Sequence, residues 1–388
     1  MRSLLRSAVL AAAMLASGVA AAQETIKIGV ILPLTGPFAP IGRQAETGMK
    51  LYVQEHGDTV AGKKIELIVE DDAGVADNTK RIAQELIVRQ GANILAGFGL
   101  TPLALATAPI AQQAKVAMVV TCAATAIITT KSDYIARTSF TLPQATTVIA
   151  SWAAENGIKS AAVLVTDYAP GNDAAETFKK DFTAAGGEVV EELKVPLQNP
   201  DFSPFLQRAK DAAPEALFVF VPAGQSAAFM KQFADRGLKE AGIKLIGTGD
   251  VTDDEVLDQM GDVALGVVTS HHYSTAHDSP TNQAFVEAFK AAHNGGRPNF
   301  MGVGGYDGMQ LIYRALEKTG GDASGDALIA AMKGLTWESP RGPITIDPET
   351  RDIIQNIYIR EVKEVEGELH NVEFATVEQV KDPVKAGQ

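Results

Sequence analysis

The sequence predicts an α/β protein built from two similar units in series, with an antiparallel appendage at its end. Three observations carry that prediction. Short β-branched runs alternate with longer segments of helical period, the same order restarts after Pro143, and the final stretch replaces helices by strands separated by turn-forming dipeptides. Strands that alternate with helices run parallel, because each helix returns the chain to the same edge of the sheet.

In the first unit, residues 26–32 (IKIGVIL) read as a strand, 44–55 as a helix and 65–70 (IELIVE) as the next strand. A helix over 78–89, a strand over 93–96, a helix over 102–113 and a strand over 116–120 continue the pattern. The second unit opens with a helix over 144–155 and a strand over 161–166. It continues with a helix over 172–185, a strand over 188–195, a helix over 204–211 and a strand over 216–221. Segments 226–236 and 243–247 extend it, 264–270 is a further strand, and helices are expected over 281–292 and 308–319. Strands over 344–346, 353–361 and 368–374 are separated by Asp347-Pro348 and Glu366-Gly367, which suit antiparallel connections.

At 388 residues the chain is long enough for two or three domains, each with a real core. Hydrophobic residues at 46% and charged residues at 21% exclude wholesale disorder and fibrous repeats. Acidic residues outnumber basic ones by 47 to 34, and no Lys/Arg cluster interrupts the excess, so no nucleic-acid partner and no anionic membrane surface is expected. The single cysteine, Cys122, can make neither an internal disulfide nor a Cys-rich metal site.

The first residues have the form of a secretory signal. Arg2 and Arg6 make a basic start, residues 8–16 are apolar but too few to span a bilayer, and Val19-Ala20-Ala21-Ala22 ends in a small-residue cleavage pattern. Cleavage after Ala22 and export are expected. No cysteine follows that point, so no lipid anchor is expected there.

Several apparent motifs fail on inspection. Gly97-Phe98-Gly99 follows a strand, but Pro102 stands where a dinucleotide loop needs its third glycine. Gly302-x-Gly304-Gly305 follows no strand and reads as a loop entering a helix. His271, His272 and His277 lack the Cys or spaced carboxylates of a metal set, and a surface or cleft-edge position is expected for them; no metal and no cofactor is expected. Glu70-Asp71-Asp72 ends a strand and reads as capping and solvation rather than a cation site. No G-x-S-x-G or comparable catalytic signature is present, and no enzyme activity is expected.

The informative residues lie at the carboxyl ends of the strands, where open α/β sheets bind ligands. The first unit carries Thr35-Gly36-Pro37-Phe38, Leu100-Thr101-Pro102 and Thr121-Cys122-Ala123-Ala124-Thr125 there. Hydroxyls, small residues and free backbone N–H groups suit a carboxylate, assisted by the positive end of the helix starting near Pro102. The second unit offers Asp167-Tyr168-Ala169-Pro170-Gly171, Val221-Pro222-Ala223-Gly224 and Gly249-Asp250-Val251. Two such units facing each other would enclose a small molecule.

These residues, taken with Lys27-Ile28-Gly29-Val30, Leu34-Thr35-Gly36-Pro37, Asp71-Asp72-Ala73, Gly97, Ala123-Ala124-Thr125-Ala126, Arg137-Thr138 and Gly305-Tyr306-Asp307, resemble the solute-binding proteins of branched-chain amino acid ABC importers. The resemblance spans nearly all of the chain beyond the signal. It implies the type I periplasmic binding fold: two Rossmann-like lobes with parallel sheets, joined by crossing strands, that close on a ligand and are read by permease subunits in the inner membrane. The lobes would comprise residues 23–142 with 276–350, and 143–275 with 351–388. A monomer is expected.

By the same resemblance the family's carboxylate-binding hydroxyl falls on Thr101, and its small-residue and threonine pair on Ala123 and Thr125. Phe38 and Ala124 flank these positions. Ile41 stands where leucine binders carry an aromatic residue, Pro222 takes the place of one lobe-two tyrosine, and Tyr168 lies two residues before the place of another. The glutamate that holds a ligand ammonium falls on Gly249, beside Asp250. Residues 137–144 (RTSFTLPQ) and 167–173 (DYAPGND) resemble members that bind aromatic carboxylates. The implied ligand is a small carboxylate, with an aromatic or other apolar acid ahead of a branched-chain amino acid. A ligand-sensing subunit that docks on a receptor would use the same cleft.

Overall fold

The computed structural model describes residues 24–386, so the expected signal segment 1–22 lies outside the described residues. In the first half, strands β1 (Thr25–Leu32), β2 (Thr59–Val60), β3 (Lys63–Asp71), β4 (Ile94–Gly97), β5 (Ala117–Val120) and β6 (Ile135–Arg137) form one sheet in the order β2-β3-β1-β4-β5-β6. All its pairings are parallel except β2 with β3. Helices α1 (Ala39–His56), α2 (Ala76–Val88) and α3 (Thr101–Ala114) provide crossovers between strands of this sheet.

The second sheet contains β7 (Ser160–Thr166), β8 (Glu188–Val195), β9 (Ala216–Phe220), β10 (Lys244–Thr248), β11 (Val268–His271), β12 (Thr336–Ser339), β13 (Gly342–Ile346), β14 (Ile353–Val365) and β15 (Glu368–Val380). Their order is β12-β13-β14-β11-β10-β9-β7-β8, with β15 also on β14. The run from β11 to β8 is parallel, whereas β12 to β15 join antiparallel, as the turn dipeptides predict. The helices of this half are α4 (Leu142–Glu155), α5 (Ala169–Ala184), α6 (Ser203–Asp211), α7 (Ser226–Asp235) and the single turn α8 (Leu257–Met260). Helices α9 (Pro280–Ala292), α10 (Phe300–Thr319) and α11 (Gly325–Met332) follow, and α9 and α10 pack on α1. Central strands such as β4, β5 and β9 are buried along their whole length, which is why they read as unbroken apolar runs.

Two readings of the sequence change here. Gly302, Gly304 and Gly305 lie inside α10 rather than in a loop. A Cβ on Gly48 of α1 would stand 2.0 Å from the Gly302 carbonyl oxygen, one on Gly305 would stand 2.3 Å from that of Ala45, and one on Gly304 would stand 2.4 Å from that of Thr121. The glycines let two helices and a strand end touch backbone to backbone, and that close packing outweighs their poor helix propensity. His271 and His272 are fully buried rather than surface or cleft-edge groups. They sit between Phe140 and Phe300, with ring centroids 4.3–5.9 Å apart, because β11 is flanked on both edges and covered on both faces. Burial and the charges of Arg360 and Arg341 hold both imidazoles well below their ordinary pKa, so they are neutral.

Charged groups in the core lie where the chain crosses between the sheets. Asp307 of α10 accepts from Arg341 Nε at 2.8 Å and Nη2 at 2.6 Å, from Ser339 Oγ at 2.8 Å and from Trp337 Nε1 at 3.1 Å, all buried. Arg341 also donates to the carbonyls of Thr138 (2.6 Å) and Ser139 (3.3 Å) and to Gln355 Oε1 (3.1 Å). Nearby, Arg137 pairs with Asp352 at 2.7 Å, both shielded from water. Asp307→Asn keeps the size and a hydrogen-bonding edge but leaves the Arg341 charge unpaired. It is expected to destabilise folding by about 3 kcal/mol in urea titrations, and a midpoint equal to wild type would show that the pair is dispensable.

Candidate ligand-binding cleft

The carboxyl ends of the parallel strands in both sheets meet across one cavity. From the first half come Ile41, Gly99, Leu100, Thr101, Cys122, Ala123 and Ala124; from the second, Tyr168, Pro170, Phe220, Pro222, Ala223 and Asp250. Phe140 and Leu142 enter from the first crossing, and Met301 from α10. The cavity between them is about 20 Å³, room for little more than one water molecule. It is a narrow slot, not a chamber. A wider groove between α2 and α3, bordered by Glu85, Val88 and Ile110, lies at the opposite, carboxyl ends of those helices and is away from this chemistry.

Of the residues that the sequence singled out, Ile41, Thr101, Ala123, Ala124, Tyr168, Pro222 and Asp250 line the slot. Thr125 stands behind it, its hydroxyl 2.9 Å from that of Thr101, with both residues buried. Phe38 is buried beside Gly74 and does not border the slot. Pro170 and Ala223 belong to the strand-end segments that the sequence pointed to, as do Leu100 and Cys122. Reading the sequence missed Gly99, Phe220 and Met301 as walls of the slot, and Phe140 and Leu142 had no signal beyond lying within the 137–144 stretch that carried the resemblance.

A bond between two hydroxyls consumes one hydrogen, so the Thr101–Thr125 pair retains one for a further acceptor. Thr101 is also the first residue of α3, where Leu100 adopts an extended backbone and Pro102 gives up no N–H. The positive end of a 14-residue helix therefore points at the same place. This corner is fitted to an anion.

The facing wall is different. Tyr168 stacks on Phe220 with ring centroids 6.1 Å apart, and burial together with the nearby Asp250 charge pushes its hydroxyl well above the ordinary range. Burial pushes the Asp250 carboxyl up to about 7, against the opposing effects of the Thr248 hydroxyl, which donates at 3.0 Å, and of Arg360. Burial likewise pushes the Cys122 thiol up to about 12, which leaves it an inert wall atom. The acidic run beside this region serves the loops. Asp71 accepts from the backbone N–H groups of Leu34 and Ala73, and Asp72 from that of Gly74 and the Thr79 hydroxyl.

At the front the two halves touch. The Ala126 N–H donates to Asp173 Oδ2 at 2.8 Å, and the Pro37 carbonyl approaches Gly224, whose φ of +90° only glycine adopts easily. Burial pushes the Asp173 carboxyl up to about 6. Two α/β halves shut on a slot with an anion corner and an apolar wall define a ligand-trapping binding protein.

Comparison with known proteins agrees. The periplasmic binding protein family model matches residues 25–368, and the chain belongs to that family, one of solute-binding proteins rather than enzymes. It is 64% identical to a solute-binding protein of an ABC transporter from Rhodopseudomonas palustris BisB5, solved with 3,4-dihydroxybenzoic acid. That likeness has a TM-score of 0.92 and covers 93% of this chain and 99% of that one. A second R. palustris solute-binding protein, solved with 4-hydroxybenzoate, is 43% identical with a TM-score of 0.91, over 94% and 100% of the two chains. "Leu/Ile/Val-binding protein homolog 6" of Brucella abortus is 47% identical over 94% of each chain.

Burial raises the pKa of Asp250 and Asp173 in the shut cleft, and a cleft that opens between the halves would return both to water. A carboxyl that binds its proton more tightly in the closed state favours that state below its open-state value, near 4, and loses that contribution as pH rises through its closed-state value. Ligand binding is therefore expected to take up protons between about pH 4 and 7, and affinity to fall as pH rises across that window. Calorimetry in buffers of different ionisation enthalpy measures the uptake. Asp250→Asn is expected to remove its larger part, and an unchanged uptake would place Asp250 outside the linkage.

Proposed function

We propose that this chain is the exported solute-binding protein of an ABC importer, that it captures a small aromatic carboxylate between its lobes, and that it delivers the acid to permease subunits in the inner membrane. The observation that carries the ligand class is the pairing of two chemistries in one slot. A hydroxyl pair at a helix start suits the carboxylate, and a narrow wall of Ile41, Phe140, Phe220 and Pro222 suits a flat ring. The ligands of the two R. palustris proteins support the same reading.

On this reading Thr101 and Thr125, with Ala123 and Ala124 giving access, receive the carboxylate; Ile41, Pro222 and Tyr168 cover the ring, and Phe38, at the start of α1, supports Ile41. Asp250 faces the ring substituents. The lobes are residues 23–142 with 276–350 and 143–275 with 351–388, closing as a monomer, and the leader through Ala22 directs export to the periplasm. The second reading, a branched-chain amino acid, draws on the name of the Brucella relative and needs Asp250, ionised, as the acceptor for an ammonium group.

Calorimetry with leucine, 4-methylpentanoate, 4-hydroxybenzoate, 3,4-dihydroxybenzoate and 4-coumarate separates the two. An aromatic acid is expected to bind best and the deaminated analogue to bind better than leucine. Tight leucine binding with failure of every acid lacking the amine would establish the second reading instead. Thr125→Ala is expected to cost about 1–3 kcal/mol of affinity for the preferred acid, since it removes the hydroxyl that orients Thr101 toward the carboxylate. Folding should barely change, and an unaltered dissociation constant would remove Thr125 from the site.

A further inference from the structure

The short turn after β10 places Gly249 directly before Asp250, the carboxylate that lines the slot. A Cβ on Gly249 would stand 2.1 Å from Arg360 Nη2 and 2.5 Å from the His271 ring. The guanidinium thus occupies the space beside Gly249 that any side chain at this position would need. Arg360 reaches there from β14 and is fully buried. The Thr269 hydroxyl holds its Nε and Nη2 at 3.3 and 3.1 Å, and Nη1 donates to the Tyr273 carbonyl. Its nearest countercharge, Asp254, is 3.9 Å away and is shared with Asn371 and Thr275.

Arg360 is thus a fixed cation one residue behind the slot. Asp253, Asp254, Glu373 and Asp250 share its field, while His271 and His272 add no charge. Asp253 spends both carboxylate oxygens on the Asn299 amide, and burial holds it, like Asp250, up to about 7. Arg360 pairs with Asp254, while the Thr248 hydroxyl and the Asn299 amide serve Asp250 and Asp253. An ammonium group brought to Asp250 would enter the field of a guanidinium it cannot displace, whereas a bare carboxylic acid brings no such charge.

We propose that Arg360 is a specificity-determining residue of the cleft: packed on Gly249 directly behind the slot, its charge disfavours a ligand ammonium and so excludes amino acids while admitting the corresponding acids without the amine. The inference rests on the carboxylate reading above and adds the residue that enforces it. Arg360 acts through Asp250 and the local field, so it is a positioning residue that need not touch the ligand.

The test uses pairs that differ only in the α-ammonium: 3-phenylpropanoate with phenylalanine, and 4-methylpentanoate with leucine. The readout is the ratio of dissociation constants within each pair, which a loss of packing alone would leave in place. Wild type is expected to prefer the acid by about 100-fold or more. Arg360→Lys, which keeps the charge, should stay close to that ratio, and Arg360→Met should narrow it by about tenfold or more. Asp254→Asn, which frees Arg360 of its partner, should widen it, and this variant tests the idea even if neither Arg360 variant folds. A folded Arg360→Met that binds 3-phenylpropanoate with the wild-type ratio would overturn the inference, as would an Asp254→Asn ratio equal to wild type. Equal wild-type affinity for acid and amino acid would overturn it while leaving the carboxylate reading intact. Binding of leucine alone, with no acid bound, would remove the carboxylate reading itself.

Discussion

The Arg341–Asp307 pair is the contact on which the architecture turns. One guanidinium, without exposure to water, ties helix α10, the Thr138–Ser139 crossing, the β12–β13 turn and β14 into one unit. Taking these charges out of water costs several kcal/mol each before pairing, so the arrangement holds only while every donor finds its acceptor. That requirement makes it specific. The Tyr358 hydroxyl even donates to the carbonyl of Arg341 at 2.8 Å, so that the backbone as well as the side chain of the arginine is fixed. Under the proposed function the two halves close on a ligand, and the crossovers between them must hold still; a fully satisfied polar network supplies stiffness where an apolar core would allow slippage.

The same logic continues outward. Gln144 caps α4 by accepting from the Thr141 N–H, and it donates to the carbonyls of Ile353 and Val380, so the first helix after a crossing is registered against both later strands. Lys385, close to the end of the described chain, reaches the Thr129 hydroxyl at 2.8 Å and pairs with Asp352, itself the partner of Arg137. Each tie joins segments far apart in sequence. Local preference cannot specify them, and they form only after both lobes exist.

This explains what the sequence revealed and what it hid. The alternation of strands and helices follows from local period, and hydroxyls such as Thr101 at strand ends announce themselves because ligands of parallel sheets bind there. The start of α1 at Ala39 was masked by Pro40, which is tolerated in a first turn but looks like a breaker in a window average. The short α11 and β12 carry too few residues to register a period. The glycines of α10 read as a loop because their value lies in what another helix does nearby. Phe140, Phe220 and Met301 look like ordinary core residues, and only the meeting of the two lobes makes them walls of a slot. His271 and His272 looked exposed because histidine usually is; sheet order, not sequence, buries them.

The cleft divides its labour unequally, and under the proposed function that division makes closure depend on a ligand. The first half offers a helix start and a free hydroxyl hydrogen, which stabilise an anion even in an open cleft. The second half offers stacked rings and a carboxyl that becomes costly to ionise once buried. Shutting an empty slot would bury Asp250 and Asp173 against that cost, with little at the front to offset it beyond the Ala126–Asp173 hydrogen bond and the Pro37–Gly224 approach. On the proposed function, a bound acid would change the balance by supplying apolar surface to the rings and a charge to the hydroxyl corner, contacts that neither half completes alone. Closure would then report occupancy, because the closed state would be held chiefly by the molecule it encloses.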